Sequence, residues 1–138
     1  MDATSSKQVV QEAWKAFATR DPNRIAAVFT EDAEWIAPVG NATALALNYT
    51  NHMVGRESIV RFIAHEFPKL FVSNVTIDFR GVHADGSTVV VEETMRATLS
   101  NGRQYENDYC FVFTVSGQRI AQVREYMDTQ RGAQCIFG

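Results

Sequence analysis

Basic residues are scarce and scattered in this chain. Its 138 residues include 13 Lys and Arg against 16 Asp and Glu, a formal net charge of −3. A phosphate backbone is gripped by clustered cations, so no nucleic-acid partner is expected. Cysteine is nearly absent. Cys110 and Cys135 stand alone, with no C-x-x-C, which excludes a disulfide framework and implies reduced thiols. The three histidines, His52, His65 and His83, contain no H-x-x-x-H pair. No metal site is therefore expected. There is no G-x-S-x-G, no phosphate loop and no dinucleotide fingerprint, so no cofactor is expected either. Long hydrophobic runs are also missing. Nothing approaches the ~18 consecutive apolar residues of a membrane span, and residues 1–6 are not a basic-then-apolar leader. The expectation is no membrane partner and a cytoplasmic location, in which the sequons at Asn41 and Asn48 are coincidental.

What the chain does have is apolar mass. Hydrophobic residues make up 46% and aromatics 11%, enough for a single domain over residues 1–138 with a substantial core. Val9, Val10, Ala13, Trp14 and Phe17 recur at helical spacing, and the pattern ends near Arg20. Ser5 or Ser6 is placed to cap this helix, Ser5 with Gln8 having capping-box spacing. Asp21-Pro22 opens a second, shorter helix, since Asp caps well and proline is tolerated at the first position. Thr30-Glu31-Asp32 reads as a turn, and residues 34–37 as a short strand halted by Pro38 and Gly40. Residues 41–54 keep no period, and either a mobile loop or a short covering helix suits them. A third helix spans about Arg56 to Phe67, with Pro68 stopping it and Leu70 and Phe71 as a connector. Four strands follow, over residues 74–82, 88–99, 104–115 and 119–129. Ala84-Asp85-Gly86-Ser87, Ser100-Asn101-Gly102 and Ser116-Gly117-Gln118 turn between them, so neighbours are antiparallel. Helices gathered on one face of such a sheet make an α+β fold.

Period-2 alternation assigns the faces. Val89, Val91, Glu93, Met95, Ala97 and Leu99 share one side of their strand. Tyr105, Asn107, Tyr109, Phe111, Phe113 and Val115 do so on the next, and Ala121, Val123, Glu125 and Met127 on the last. Ile120, Gln122, Arg124, Tyr126 and Asp128 fall on the opposite side. Three polar residues interrupt the helix-facing side: Glu93, Asn107 and Glu125. If they converge, they form a small polar cluster on an apolar floor, the usual composition of a ligand pocket. Two carboxyls in such surroundings cannot both ionise cheaply, so one pKa should rise. The other reading is that each glutamate pairs with an arginine merely to hold the fold, and Arg96, Arg103 and Arg124 are near in sequence. His52, beside Tyr49 and Met53, either reaches a pocket mouth or is a solvated loop residue. His65 and His83 read as surface groups. Trp14, Phe17, Trp35 and Tyr109 read first as core, although Trp35 precedes the undecided stretch and can line a wall.

These stretches together resemble the NTF2-like superfamily, in particular its SnoaL-like and ketosteroid-isomerase-like members. The resemblance rests on the opening helix, Asp21-Pro22, Phe29-Thr30-Glu31-Asp32-Ala33-Glu34-Trp35, Gly55-Arg56-Glu57-Ser58-Ile59, Gly117-Gln118-Arg119-Ile120 and Arg124-Glu125-Tyr126-Met127-Asp128. It covers nearly the whole chain. It implies a cone, that is, a curved, largely antiparallel (mixed) sheet wrapped around three N-terminal helices and enclosing an apolar cavity. It also implies a homodimer through the outer face of the sheet. The steroid-isomerase base would fall on Ala37, before Pro38-Val39-Gly40, and its first-helix tyrosine on Ala13, so that catalytic set is missing. The limonene-epoxide-hydrolase type has a catalytic aspartate that matches Glu125. Its other groups fall near Glu93 and Met95 and at Trp35 and Ala37, so only one carboxylate is retained.

The expectation is a small-molecule enzyme of SnoaL-like type acting on a small apolar organic ligand by isomerisation, cyclisation or hydrolysis. Glu125 and Glu93 are the candidate acid/base pair. Trp14, Trp35, His52, Met95, Asn107, Tyr109 and Met127 are the candidate substrate-binding residues. A non-catalytic binding protein and a dimeric interaction module of the same fold remain the alternatives.

Overall fold

The computed structural model describes residues 2–138. Six strands form one curved, unclosed sheet in the order β2-β1-β6-β5-β4-β3. They are β1 (Phe29–Ile36), β2 (His52–Val54), β3 (Phe71–Asp85), β4 (Thr88–Leu99), β5 (Gln104–Ser116) and β6 (Arg119–Met127). All neighbours are antiparallel except β1 and β6, which run parallel. The fold is the α+β arrangement expected. Among the described residues no helix is long and apolar enough to cross a membrane.

Helix α1 (Ala3–Thr19) lies on the concave face of the sheet. Val10, Ala13, Ala16 and Phe17 form its buried stripe, at the spacing that keeps one helical face turned to a core. Its cap is Asp2, whose Oδ1 accepts from the Ser5 amide at 2.8 Å. The capping-box expectation at Ser5 is thus corrected; the carboxylate three residues earlier takes the free amide. The helix ends at Arg20, which adopts a left-handed conformation (φ 57°) and donates its amide to the Phe17 carbonyl. Asp21 caps α2 (Pro22–Ala26) as its sequence indicates.

The inward pattern of β4 and β5 is followed without exception: every odd position from 89 to 99 and from 105 to 115 is buried. In β6 the pattern breaks once. Pairing jumps from Val115–Ile120 to Thr114–Gln122, a bulge that turns Ile120 into the core.

Three expectations are corrected, and of the two readings left open for residues 41–54 the short helix is present. Thr30-Glu31-Asp32 is part of β1, carried through a register shift between Phe29 and Glu34. Residues 41–54 hold a short helix, α3 (Ala42–Leu47), and the edge strand β2. The third helix does not stop at Pro68. Helix α4 (Arg56–Arg61) passes through a π-helical turn at Phe62–Glu66 into α5 (Phe67–Leu70), and Pro68 sits in the first turn of α5, where it loses no hydrogen bond. Last, the chain ends in α6 (Thr129–Phe137), capped by Asp128. Arg131 ties α6 to β5 by ion pairs with Glu106 at 2.6 Å and Asp108 at 3.3 Å. Gly132 lets it approach closely, since a Cβ there would stand 3.2 Å from Asn107 Nδ2.

Candidate functional site

A cavity of about 1170 Å³ lies between α1, the sheet and the Phe62–Leu70 segment. That is at or above the volume of drug-sized ligand pockets. Its wall is aromatic. Trp14 meets Phe17, Phe79, Phe111 and Phe113 edge-on, with ring centroids 5.2–6.1 Å apart. Tyr109 stacks on Phe111 at 5.7 Å. Edge-to-face contacts of this kind add about 0.5–1.5 kcal/mol each beyond burial, so the wall is rigid as well as apolar.

Glu93 and Glu125 both line the cavity. Strand register explains why. Glu93 is opposite Tyr109, and Glu125 is opposite Phe111, so the two carboxyls flank β5 two residues apart in register on the concave side. Glu93 is 2% exposed, and its Oε2 is buried without a hydrogen-bond partner among the described residues. Burial, reinforced by the charge of Glu125, pushes its pKa up to about 8. Burial also raises Glu125, to about 7, against the opposing pull of one hydrogen bond. That bond comes from Trp35, whose Nε1 donates to Glu125 Oε1 at 2.8 Å. Parallel pairing of Trp35 with Val123 sets the indole diagonally beside Glu125.

No arginine neutralises either carboxyl. Arg96 is held on the outer face by Asp78 and Glu106. Arg124 donates to Gln122 Oε1, and Arg103 to the Gln134 carbonyl. Among the described residues the fold-holding alternative for the two glutamates has no cation to supply it.

Of the nine candidates, Trp14, Trp35, Glu93, Met95, Tyr109 and Glu125 share this cavity. Three do not. His52 sits on the edge strand with Nε2 3.2 Å from Glu34 Oε2, exposed to solvent. Of the two readings left open for His52, the solvated one holds, on a strand that pairs with β1 rather than on a loop. Asn107 is fully buried outside the cavity. Its Nδ2 donates to Tyr105 Oη at 3.1 Å and to the Asp128 carbonyl at 3.0 Å, and its Oδ1 accepts from the Asp108 amide. It anchors α6 rather than joining the glutamates, because its register partner is Met95, one inward position beyond Glu93. Met127 has the expected face but lies opposite Tyr109, outside the lining.

One role and one residue were missed from sequence. Trp35 was placed as a wall, but its donor role needs the parallel β1–β6 register, which no hairpin signal reveals. Arg20 also lines the cavity; a cation at a helix end reads as solvent-facing until the neighbouring rings are seen. The Trp14 Nε1 is a further buried donor without a partner among the described residues. Among the described residues no group of three His, Cys, Asp or Glu side chains is arranged to hold a metal ion.

The chain belongs to the SnoaL-like domain family, whose model matches residues 10–123. No curated protein matches the sequence. Solved structures of similar fold include an NTF2-like protein of unknown function from Burkholderia pseudomallei, at 22% identity and TM-score 0.83, covering 97% of this chain and 98% of that one. TerC, co-crystallised with polyporic acid, is 21% identical at TM-score 0.81, with 97% and 99% covered. An LEH-like epoxide hydrolase from M. tuberculosis is 18% identical at TM-score 0.76, with 98% and 91% covered. At these identities the likeness establishes the fold.

Proposed function

We propose that the protein is an enzyme of proton transfer on an apolar organic molecule held in the cavity. One observation carries this reading: two carboxyls on an aromatic floor with no cationic partner among the described residues, one at about 7 and the other at about 8. Near neutral pH the pair then holds a proton on Glu93 while Glu125 is partly ionised, which matches an acid with a base. Glu125, steadied by the Trp35 N–H, removes a proton from carbon or from water. Protonated Glu93 donates to the oxygen where charge builds. Isomerisation, cyclisation and hydrolysis all draw on this set. A neighbour named as an epoxide hydrolase and one crystallised with an organic acid are consistent with small-molecule chemistry in this fold. On the same reading the protein works as a homodimer through the outer sheet face, which native mass spectrometry reads directly.

Deuterium exchange tests the chemistry. A panel of apolar cyclic ketones is incubated in D₂O near neutral pH, and incorporation is followed by mass spectrometry. Wild-type protein is expected to accelerate exchange at the carbon beside the carbonyl, and Glu125→Gln to abolish the acceleration with its fold intact. Equal exchange in the two proteins, or none above buffer for any ketone, overturns the assignment. Ketones that bind without exchanging would favour a binding protein instead.

A further inference from the structure

The cavity is charged unevenly from end to end. Its floor carries Glu93 and Glu125. Its lip along α1 carries Lys7, Lys15 and Arg20 against one acid, Glu12, which is already bound to Lys15 at 3.0 Å. The facing lip, on β3, is apolar, built from Val72, Val75, Ile77 and Phe79. Val72 and Phe79 are each 50% exposed, so this apolar edge is open to an occupant.

Arg20 is the fixed cation of the set. Its guanidinium lies over the Phe67 ring, 4.5 Å from the centroid, and Nη1 donates to the Phe17 carbonyl at 2.9 Å. Both rings also line the cavity. The group is half-buried, and among the described residues it forms no ion pair. Burial lowers its pKa, the sign of a cation short of solvent and counter-charge. One of its five N–H donors is accounted for, and the remaining fork suits a carboxylate. The next turn back along α1 places Phe17 beside Trp35, at 6.1 Å between centroids, and Trp35 holds Glu125. The cation therefore stands on the order of 10–15 Å from the reacting end.

We infer that the natural ligand is an amphiphilic monoanion, with its acid group on Arg20, its apolar body along β3 and its far end toward the glutamates. The inference rests on the cavity being a ligand site, as proposed above, and not on its chemistry. An anion at Arg20 relieves an unpaired half-buried charge, while the same anion at the floor would meet two carboxyls.

Pyrenebutyrate and pyrenebutanol differ only in that end group, and their fluorescence reports binding. They are titrated near pH 6, where the ligand acid is ionised and both floor carboxyls carry protons. The acid is expected to bind at least ~10-fold tighter than the alcohol, the scale of one charge-assisted contact. Arg20→Gln should erase the preference and leave alcohol affinity unchanged, Arg20→Lys should keep part of it, and Lys7→Gln should keep it all. Thermal unfolding of each variant checks the fold. Equal binding of acid and alcohol to wild type overturns the inference, as does a preference that survives Arg20→Gln. Failure of both probes to bind overturns it together with the cavity reading. The deuterium-exchange assay reads Glu125 and these titrations read Arg20, so a failed catalytic assignment is distinguishable from a failed anion site.

Discussion

Replacing Glu93 by glutamine should make the protein more stable in alkaline solution and leave it unchanged in mild acid. A carboxyl held near 8 when folded, against 4.5 in the unfolded chain, binds its proton more tightly in the folded state. Stability is therefore full below about 4.5 and is lost as pH rises toward 8. At 1.36 kcal/mol per pH unit, the loss approaches about 5 kcal/mol above both values. Water entering the open cavity lessens it, so about 2–4 kcal/mol is expected. For a chain of this size, 1 kcal/mol moves the unfolding temperature by ~4 °C. Thermal unfolding from pH 5 to 9 should then show wild type falling about 8–16 °C further than Glu93→Gln. The variant should still decline up to about pH 7, because Glu125 imposes its own raised pKa, and then level off. Parallel curves for the two proteins would refute the reasoning, since they would mean that Glu93 ionises at no cost where it sits.

Trp35→Phe removes the one hydrogen bond that favours ionised Glu125. The Glu125 pKa should climb above about 7, and the acidic limb of any rate profile that needs ionised Glu125 should move to higher pH with it. Asn107→Leu leaves the Asp128 carbonyl and the Asp108 amide without their partner. It should destabilise the protein by about 2–3 kcal/mol and expose α6 to hydrogen exchange, while ligand affinity of the cavity stays the same.

The sheet was legible in the sequence wherever one strand follows another through a tight turn. In β4 and β5 alternation alone identified every inward residue, Glu93 included, because an antiparallel hairpin fixes both register and face. Legibility failed at non-local pairings. The parallel contact of β1 with β6 has no turn to announce it, so the Trp35–Glu125 bond was invisible. Edge strand β2 is three residues long, too short for a period. Asn107 shows a subtler limit. Its face was read correctly, but register along the strand decides whether an inward group meets the cavity or the terminal helix. Helix α6 lies beyond the last strand read from sequence, and Gly132 at its centre is explained only by its close approach to Asn107.

Function on this reading requires that the two floor carboxyls titrate near neutrality inside an apolar cavity. Carbon-13 NMR of the glutamate side-chain carboxyls, with Glu93→Gln and Glu125→Gln for assignment, measures this directly. The account predicts midpoints near 7 and 8, with Glu93 falling when Glu125 is replaced. Two midpoints in the ordinary glutamate range, near ~4.3, would contradict it.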